Sequence, residues 1–257
     1  MIDTLLDIAR SAGIAIMEHY GATQSTLKPD DSPLTAADLA SHHLILHRLK
    51  ALFPAALVLS EESDPASFAA ESFPEEFWLV DPLDGTKEFL KRSGEFTVNI
   101  AFIRHGVPRL GVVHAPAIGL TYWADVGGPA FRQRGAGAPE VIRARTPVPE
   151  RLAAVASRDH AGPRVDAWLQ RHPEAQTLSM GSSLKFCLVA EGAADLYLRD
   201  LPTMEWDTAA AHAVLSAAGG TVWTLDGTPL SYGKSGLRNP GFAALVDRQT
   251  FADVWSK

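Results

Sequence analysis

In Phe77-Trp78-Leu79-Val80-Asp81-Pro82-Leu83-Asp84-Gly85-Thr86-Lys87-Glu88-Phe89 an apolar run ends in two aspartates three residues apart, and a glycine then opens a helical pattern. Two carboxylates at a strand end can hold hard divalent cations, and the backbone N–H groups that start the next helix can receive a phosphate. This is the outline of a phosphate-handling site. A β-hairpin around Asp84-Gly85 is the plainer alternative, but residues 86–91 lack period-two alternation and Asp81-Pro82 is more constrained than a hairpin requires.

Other acids stand at element ends along the chain. Glu61-Glu62 follow the short strand pattern Leu57-Val58-Leu59, Asp38 closes the capping-box pattern Thr35-Ala36-Ala37-Asp38, and Asp207 begins a strong helical run with Gly219 just past its end. Each alone has a structural reading, as a solvated acid or a helix cap. Lys185, after Gly181-Ser182-Ser183 at a predicted helix start, could meet a phosphate, although a lone lysine is more often solvated. The nine histidines show no zinc spacing, and His42, His43 and His47 share a predicted helix without an acidic motif to complete a site.

A chain of 257 residues can bury one large core or two intimate lobes. A hydrophobic share of 46% beside 21% charged residues places it among ordinary globular proteins, and no apolar run is long enough to span a bilayer. The N-terminus lacks a secretory pattern, so the expected address is cytoplasmic, with peripheral association at the inner membrane left open. Cys187 is the only cysteine, which rules out an intrachain disulfide and suits a small buried side chain. The formal charge of −7 argues against a nucleic-acid polymer as partner. An acidic protein that binds phosphate must supply cations locally, and metal ions are one way to do so.

These residues require elements to position them. Helices are expected over 2–20 and from Thr35 to about Phe53, then strands over 57–59 and 78–80, a turn over 81–85 and a short helix over 86–91. Residues 96–124 read as an antiparallel meander that 141–143 would close. Residues 145–150, with two prolines, make the best lobe boundary, giving a metal-binding α+β lobe at 1–148 and an α/β lobe at 149–257. The second half alternates strands (153–156, 176–179, 194–198, 242–246) with helices (163–171, 182–191, 207–218, 248–255).

Taken together, Glu61-Glu62, Asp81-Pro82-Leu83-Asp84-Gly85-Thr86, and Trp206-Asp207 followed by Ala217-Ala218-Gly219-Gly220 resemble the inositol monophosphatase superfamily of lithium-sensitive, magnesium-dependent phosphatases. Within it, Thr86-Lys87-Glu88-Phe89, Gly94 to Ala101, Ser32-Pro33-Leu34-Thr35-Ala36-Ala37-Asp38, Gly181-Ser182-Ser183-Leu184-Lys185-Phe186 and Asn239-Pro240 are most similar to the bacterial 3'(2'),5'-bisphosphate nucleotidase branch. The resemblance implies a layered α-β-α-β-α sandwich of the sugar-phosphatase type. It implies a phosphomonoesterase acting on the 3'-phosphate of adenosine 3',5'-bisphosphate in support of sulfate assimilation, often as a homodimer.

By the same resemblance Glu61, Asp81, the Leu83 carbonyl, Asp84 and Asp207 would hold two or three Mg²⁺. Thr86, paired with Asp38, would orient the attacking water with Glu61 alongside, and Glu62 would stand behind the ligands. Gly85, Thr86, Ser157, Arg158, His160, Ser182, Lys185 and Asp207 would meet the substrate, a small phosphate ester. Asp159 departs from the branch's Ser-Arg-Ser-His segment, and Asp200 stands near where inositol phosphatases grip substrate hydroxyls, so an inositol-1-phosphatase or a related sugar or polyol phosphatase is the alternative. A non-catalytic metal or nucleotide sensor on the same scaffold is the remoter one.

Overall fold

The computed structural model describes residues 1–21, 25–28, 33–68, 72–146, 150–156 and 162–255. Helix α1 (Ile2–Glu18) buries Leu5, Leu6, Ala9, Ala12 and Ile16 along one face. A small ribbon of β1 (Thr26–Leu27) and β2 (Pro33–Leu34) leads to α2 (Ala36–Leu52), which opens with a capping box. The Thr35 side chain accepts from the N–H groups of Ala37 and Asp38, and Asp38 accepts from the N–H of Thr35. Each of these donors would otherwise lack a partner in the first turn.

Strands β3 (Leu57–Ser60) and β4 (Glu76–Asp84) pair in parallel. After the single-turn helix α3 (Thr86–Leu90), β5 (Thr97–Arg104), β6 (Val107–Ala115), β7 (Leu120–Asp125), β8 (Ala130–Arg134) and β9 (Glu140–Ile142) continue as the expected antiparallel meander. The seven strands lie side by side in chain order. Both faces of this sheet are covered, as its alternation shows: Trp78, Val80, Val98 and Ile100 pack against α1 and α2, while Phe77, Leu79, Ala101 and Ile103 enter a second core.

That second core joins the large sheet to a five-stranded one. Its elements are β10 (Ala153–Ala156), α4 (Pro163–Arg171), β11 (Gln176–Ser179), α5 (Leu184–Ala190), β12 (Leu196–Arg199), β13 (Thr203–Met204), α6 (Ala209–Ala217), β14 (Thr221–Thr224), β15 (Arg238–Asn239) and β16 (Phe242–Leu245). The strand order is β11-β10-β12-β16-β14, and the short pair β13-β15 stands apart. Helices α5 and α6 lie between the two sheets, α6 on β5, β6 and β7 and on β14, and α5 on β12 and β16. A Cβ at Gly111 in β6 would stand 2.2 Å from the Ala210 carbonyl, so only glycine lets α6 come this close. The result is the mixed α/β layering the sequence suggests.

Several boundaries differ from expectation. Strand β4 runs on through Asp84 instead of ending at Val80, because β5 keeps pairing with it across a register shift between Asp81 and Asp84. Helix α5 starts at Leu184, since Ser182 has a positive φ of 49° that no helix tolerates. Residues 248–255 hold only the 3₁₀ turn Ala252–Trp255. Strands β8 and β14, which the sequence reading did not anticipate, complete the two sheets.

Candidate active site

The irregular end of β4 builds the first wall. Pro82 has no N–H to give to the ladder, and its carbonyl accepts the Ser41 hydroxyl at 2.7 Å, while Asp81 Oδ1 accepts the Leu83 N–H at 3.0 Å. Asp81 is thereby fixed and almost fully buried. Gly85 adopts φ 92°, a left-handed turn that L side chains rarely take, and this starts α3 directly after Asp84. The turn sets Thr86 Oγ1 3.2 Å from Asp38 Oδ1 and 3.4 Å from the Leu83 carbonyl. Asp38 therefore caps its helix with one oxygen and holds the Thr86 hydroxyl with the other.

Glu61 and Glu62 follow β3, next to β4. Lys28 Nζ lies 2.6 Å from a carboxylate oxygen of each. Glu61 and Asp81 are close enough to share a hydrogen bond. From the second half of the chain, Ser183 donates through its backbone N–H and its Oγ to Asp84 Oδ2, both at 2.7 Å. Asn99 Nδ2 reaches the same oxygen at 3.3 Å and Ser183 Oγ at 2.8 Å, and Ser183 Oγ lies 2.6 Å from the Asp207 carbonyl. Asp207 sits one residue before Thr208, the N-cap of α6, and its carboxylate accepts the Met204 N–H at 2.8 Å instead of capping the helix.

So many buried acids cannot all ionise unaided. Burial, reinforced by Glu61, Asp84 and Asp207, holds the Asp81 carboxyl well above the ordinary range. Burial together with Asp84 and Glu61 does the same to Asp207. Burial raises Asp38 and Glu61 against the pull of Thr35 and Lys28 respectively, and it lifts Glu62 to about 7. Burial opposes the charge of Lys28, yet Glu61 and Glu62 together outweigh it and keep the ammonium protonated above its usual range.

Among the described residues no three His, Cys, Asp or Glu side chains stand as a ready-made ligand set. Glu61 is drawn toward Lys28, and one Asp84 oxygen is taken by Ser183 and Asn99. The donor chemistry nonetheless fits Mg²⁺, since the cluster of Asp38, Glu61, Glu62, Asp81, Asp84 and Asp207 offers oxygen ligands and more negative charge than the neighbouring Lys28, Lys185 and Arg199 offset.

Beyond Asp84 and Asp207 the site changes sign. A cavity of about 110 Å³ is lined by these two acids together with Ser182, Lys185, Tyr197 and Arg199. Lys185, expected to meet the substrate, is buried, which excludes the plainer alternative of a solvated lysine. Among the described residues its Nζ lies 3.4 Å from the Met180 carbonyl and 5.6 Å from the centre of the Tyr197 ring. Burial and then Arg199 lower its pKa, against Asp84, Glu88 and Asp207. The Ser182 hydroxyl is buried without a partner among the described residues.

Ser157, Arg158 and His160 lie outside the described residues. Asp200 Oδ2 accepts the Arg164 N–H at 2.7 Å at the start of α4, while its Oδ1 is buried without a partner among the described residues. His42 Nδ1 pairs with Ser60 Oγ at 2.9 Å, and His43 and His47 are exposed. Lys28, Asn99 and Arg199 escaped the sequence reading. Asn99 had left a signal, a polar residue inside the apolar strand Val98-Asn99-Ile100, whereas Lys28 and Arg199 carried none.

The chain and its fold correspond to known proteins. A model of the inositol monophosphatase family matches residues 1–255. The chain belongs to that family. It is 49% identical over 250 residues to the 3'(2'),5'-bisphosphate nucleotidase CysQ of Escherichia coli strain K12, covering 96% of this chain and all of the other. Identity to the enzyme of that name from Haemophilus influenzae is 34%, covering 96% of this chain and 93% of the other. Among solved structures, CysQ from Bacteroides thetaiotaomicron, described as a bacterial member of the same family, superposes with a TM-score of 0.82 at 38% identity, covering 96% of this chain and 97% of the other. The inositol monophosphatase of Thermotoga maritima, at 23% identity and a TM-score of 0.80 over 98% of this chain and 94% of the other, shares the fold.

Proposed function

We propose that this chain is a Mg²⁺-dependent phosphomonoesterase that removes the 3'-phosphate of adenosine 3',5'-bisphosphate, leaving AMP and phosphate. The relatives named 3'(2'),5'-bisphosphate nucleotidase, nearly half identical over their full length, support the activity. The structural observation that carries the substrate is the cavity in which Asp84 and Asp207 face the buried Lys185 and the half-buried Arg199. An ester with a single phosphate leaves the buried Lys185 without a phosphate anion beside it, which is costly. A second phosphate supplies it.

On this reading residues 1–148 carry most of the acids and residues 149–257 carry specificity. Glu61, Asp81, Asp84, Asp207 and the Leu83 carbonyl would hold two or three Mg²⁺, which when bound offset charge, polarise phosphoryl oxygens and lower the pKa of a coordinated water. Asp38, fixed by both donors of Thr35, holds the Thr86 hydroxyl in one direction, so that Thr86 can position a water for attack. Ser183 and Asn99 keep Asp84 from rotating. Lys185, Arg199 and the Ser182 hydroxyl grip the second phosphate, and Phe186, Tyr197 and Phe242 form the wall behind it. The inositol phosphatase reading rests on Asp200, one oxygen of which holds the Arg164 N–H at the start of α4.

Purified protein with Mg²⁺ is expected to hydrolyse adenosine 3',5'-bisphosphate with a kcat/KM at least about tenfold above that for inositol 1-phosphate, the margin a dedicated polar contact provides. A preference for the inositol ester would overturn the assignment. Hydrolysis of neither ester would return the chain to the sensor reading.

A further inference from the structure

The guanidinium of Arg248, which follows β16, is pressed between two indoles: its Cζ lies 4.1 Å from the ring centre of Trp223 in β14 and 5.0 Å from that of Trp255 in the last 3₁₀ turn. Both rings are themselves fixed. Trp223 is paired with Ala243 in the sheet, and Trp255 Nε1 donates to the Thr224 carbonyl at 2.9 Å. Space beside the guanidinium is kept open as well, since a Cβ at Gly227 would come within 3.1 Å of Arg248 Nη2. The neighbouring Asp247 carboxylate is committed to the N–H and hydroxyl of Thr250 at 2.9 and 2.7 Å. Among the described residues Arg248 has no carboxylate or carbonyl partner, and Trp223 Nε1 is buried without an acceptor. The group opens on a groove of about 670 Å³, ample for a small molecule, bordered by Gly219, Thr221 and Gln249.

Stacking occupies the faces of a guanidinium and leaves its five N–H donors in the plane at the edge. A staple for the C-terminal turn would need only the faces. Edge donors held rigid and unpaired are instead preorganised for a planar or tetrahedral oxyanion, which they can grip with two parallel hydrogen bonds. We propose that Arg248, clamped by Trp223 and Trp255, is the centre of a binding site for a small oxyanion, a carboxylate or a phosphate group. It shares no lining residue with the cavity at Asp84 and Asp207, so it is a second site on the molecule.

The test follows the indole N–H resonances of Trp223 and Trp255 in the full chain during titration with inorganic phosphate, and separately with succinate, at constant ionic strength. Saturable shifts are expected, and Arg248→Gln should weaken the apparent affinity at least about tenfold while leaving kcat/KM for the phosphate ester unchanged. Arg248→Lys keeps the charge and much of the packing but loses the fork, so it should also bind more weakly, and it serves as the comparison if glutamine loosens the turn. Shifts with phosphate alone assign the site to a phosphate group, and with succinate alone to a carboxylate. No saturable shift with either anion, or undiminished shifts in both variants, would overturn the proposal.

Discussion

Ser183 holds one oxygen of Asp84 with two donors, its backbone N–H and its hydroxyl, each at 2.7 Å, although the two residues are 99 positions apart. The same hydroxyl lies 2.6 Å from the Asp207 carbonyl. One small side chain thus links the end of β4 to the start of α6, which are the places where the two halves of the chain deliver their acids. Ser183→Ala removes the hydroxyl but leaves the N–H bond. Losing a hydrogen bond to a charged group costs about 1.5–3 kcal/mol, so kcat/KM should fall by roughly tenfold to a hundredfold and the Mg²⁺ concentration for half-maximal activity should rise. A wild-type Mg²⁺ dependence in the variant would show that the hydroxyl does not set the position of Asp84.

Lys185 differs from a surface lysine in both stability and binding. Burial lowers its pKa below the unfolded value, so the unfolded chain binds more protons in the window between the two. Its charge therefore works against folding at neutral pH, and that penalty shrinks as pH rises toward the unfolded value. Lys185→Met should melt at a temperature equal to or higher than wild type near pH 7, while KM for adenosine 3',5'-bisphosphate rises at least about tenfold. Adenosine 3'-phosphate, which lacks the second phosphate, should be turned over by the variant as well as by wild type. Equal losses on both substrates would place Lys185 outside the second-phosphate site.

The acids make the opposite pH prediction. Asp38, Glu61, Asp81 and Asp207 all have folded pKa values above their ordinary ones, and Glu62 stands at about 7. Groups raised in this way stabilise the fold below their unfolded values, and the contribution is lost as pH rises through the folded ones. In chelator-treated protein the melting temperature should fall between about pH 5 and about pH 8. Added Mg²⁺ should raise it more at the upper pH, because binding competes with protons for the same oxygens. A Mg²⁺-induced rise that is largest at the acid end would contradict this account of the cluster.

Much of this was legible in the chain because it rests on local rules. The capping box at Thr35 and Asp38, the alternation in β4 to β7 and the turn at Gly85 each follow from residue type at short range. Their companions were not legible for the same reason. Lys28 reaches Glu61 over 33 residues and Ser183 reaches Asp84 over 99, and no period or motif marks such meetings. Lys185 was legible as a phosphate candidate near a helix start, but its burial was not, since α5 was expected to begin at Ser182. The positive φ at Ser182 delays that helix to Leu184, and Lys185 then turns inward toward Tyr197. The burial of Lys185 therefore depends on a backbone detail that residue type alone does not announce.

Thr86 offers a test of geometry separate from charge. Its hydroxyl bonds Asp38 Oδ1 at 3.2 Å, and valine matches its shape without the oxygen. Thr86→Val should leave the melting temperature within a few degrees of wild type but lower kcat by about 10²-fold or more, the range expected when a positioned proton-transfer group is lost. Thr86→Ser, which keeps the oxygen, should recover most of the rate. If serine is as poor as valine, packing of the methyl group and not the hydroxyl explains the loss.

Asp207 is carried at the start of α6. Helix α6 lies directly on β6, with the Ala210 carbonyl 2.2 Å from where a Gly111 Cβ would be, and the helix begins two residues after Asp207. Gly111→Ala must push the helix outward or bend the strand, since the new methyl would meet the Ala210 backbone carbonyl and the Ala213 Cβ, neither of which can swing aside. Overpacking of this kind costs about 1–3 kcal/mol, and the displacement would be passed to Asp207 through Thr208 and the Met204 turn. The variant should melt several degrees lower and should need more Mg²⁺ for half-maximal activity, even at a temperature where it is fully folded. If stability falls while the Mg²⁺ requirement stays at the wild-type value, α6 holds the core together without setting the position of Asp207.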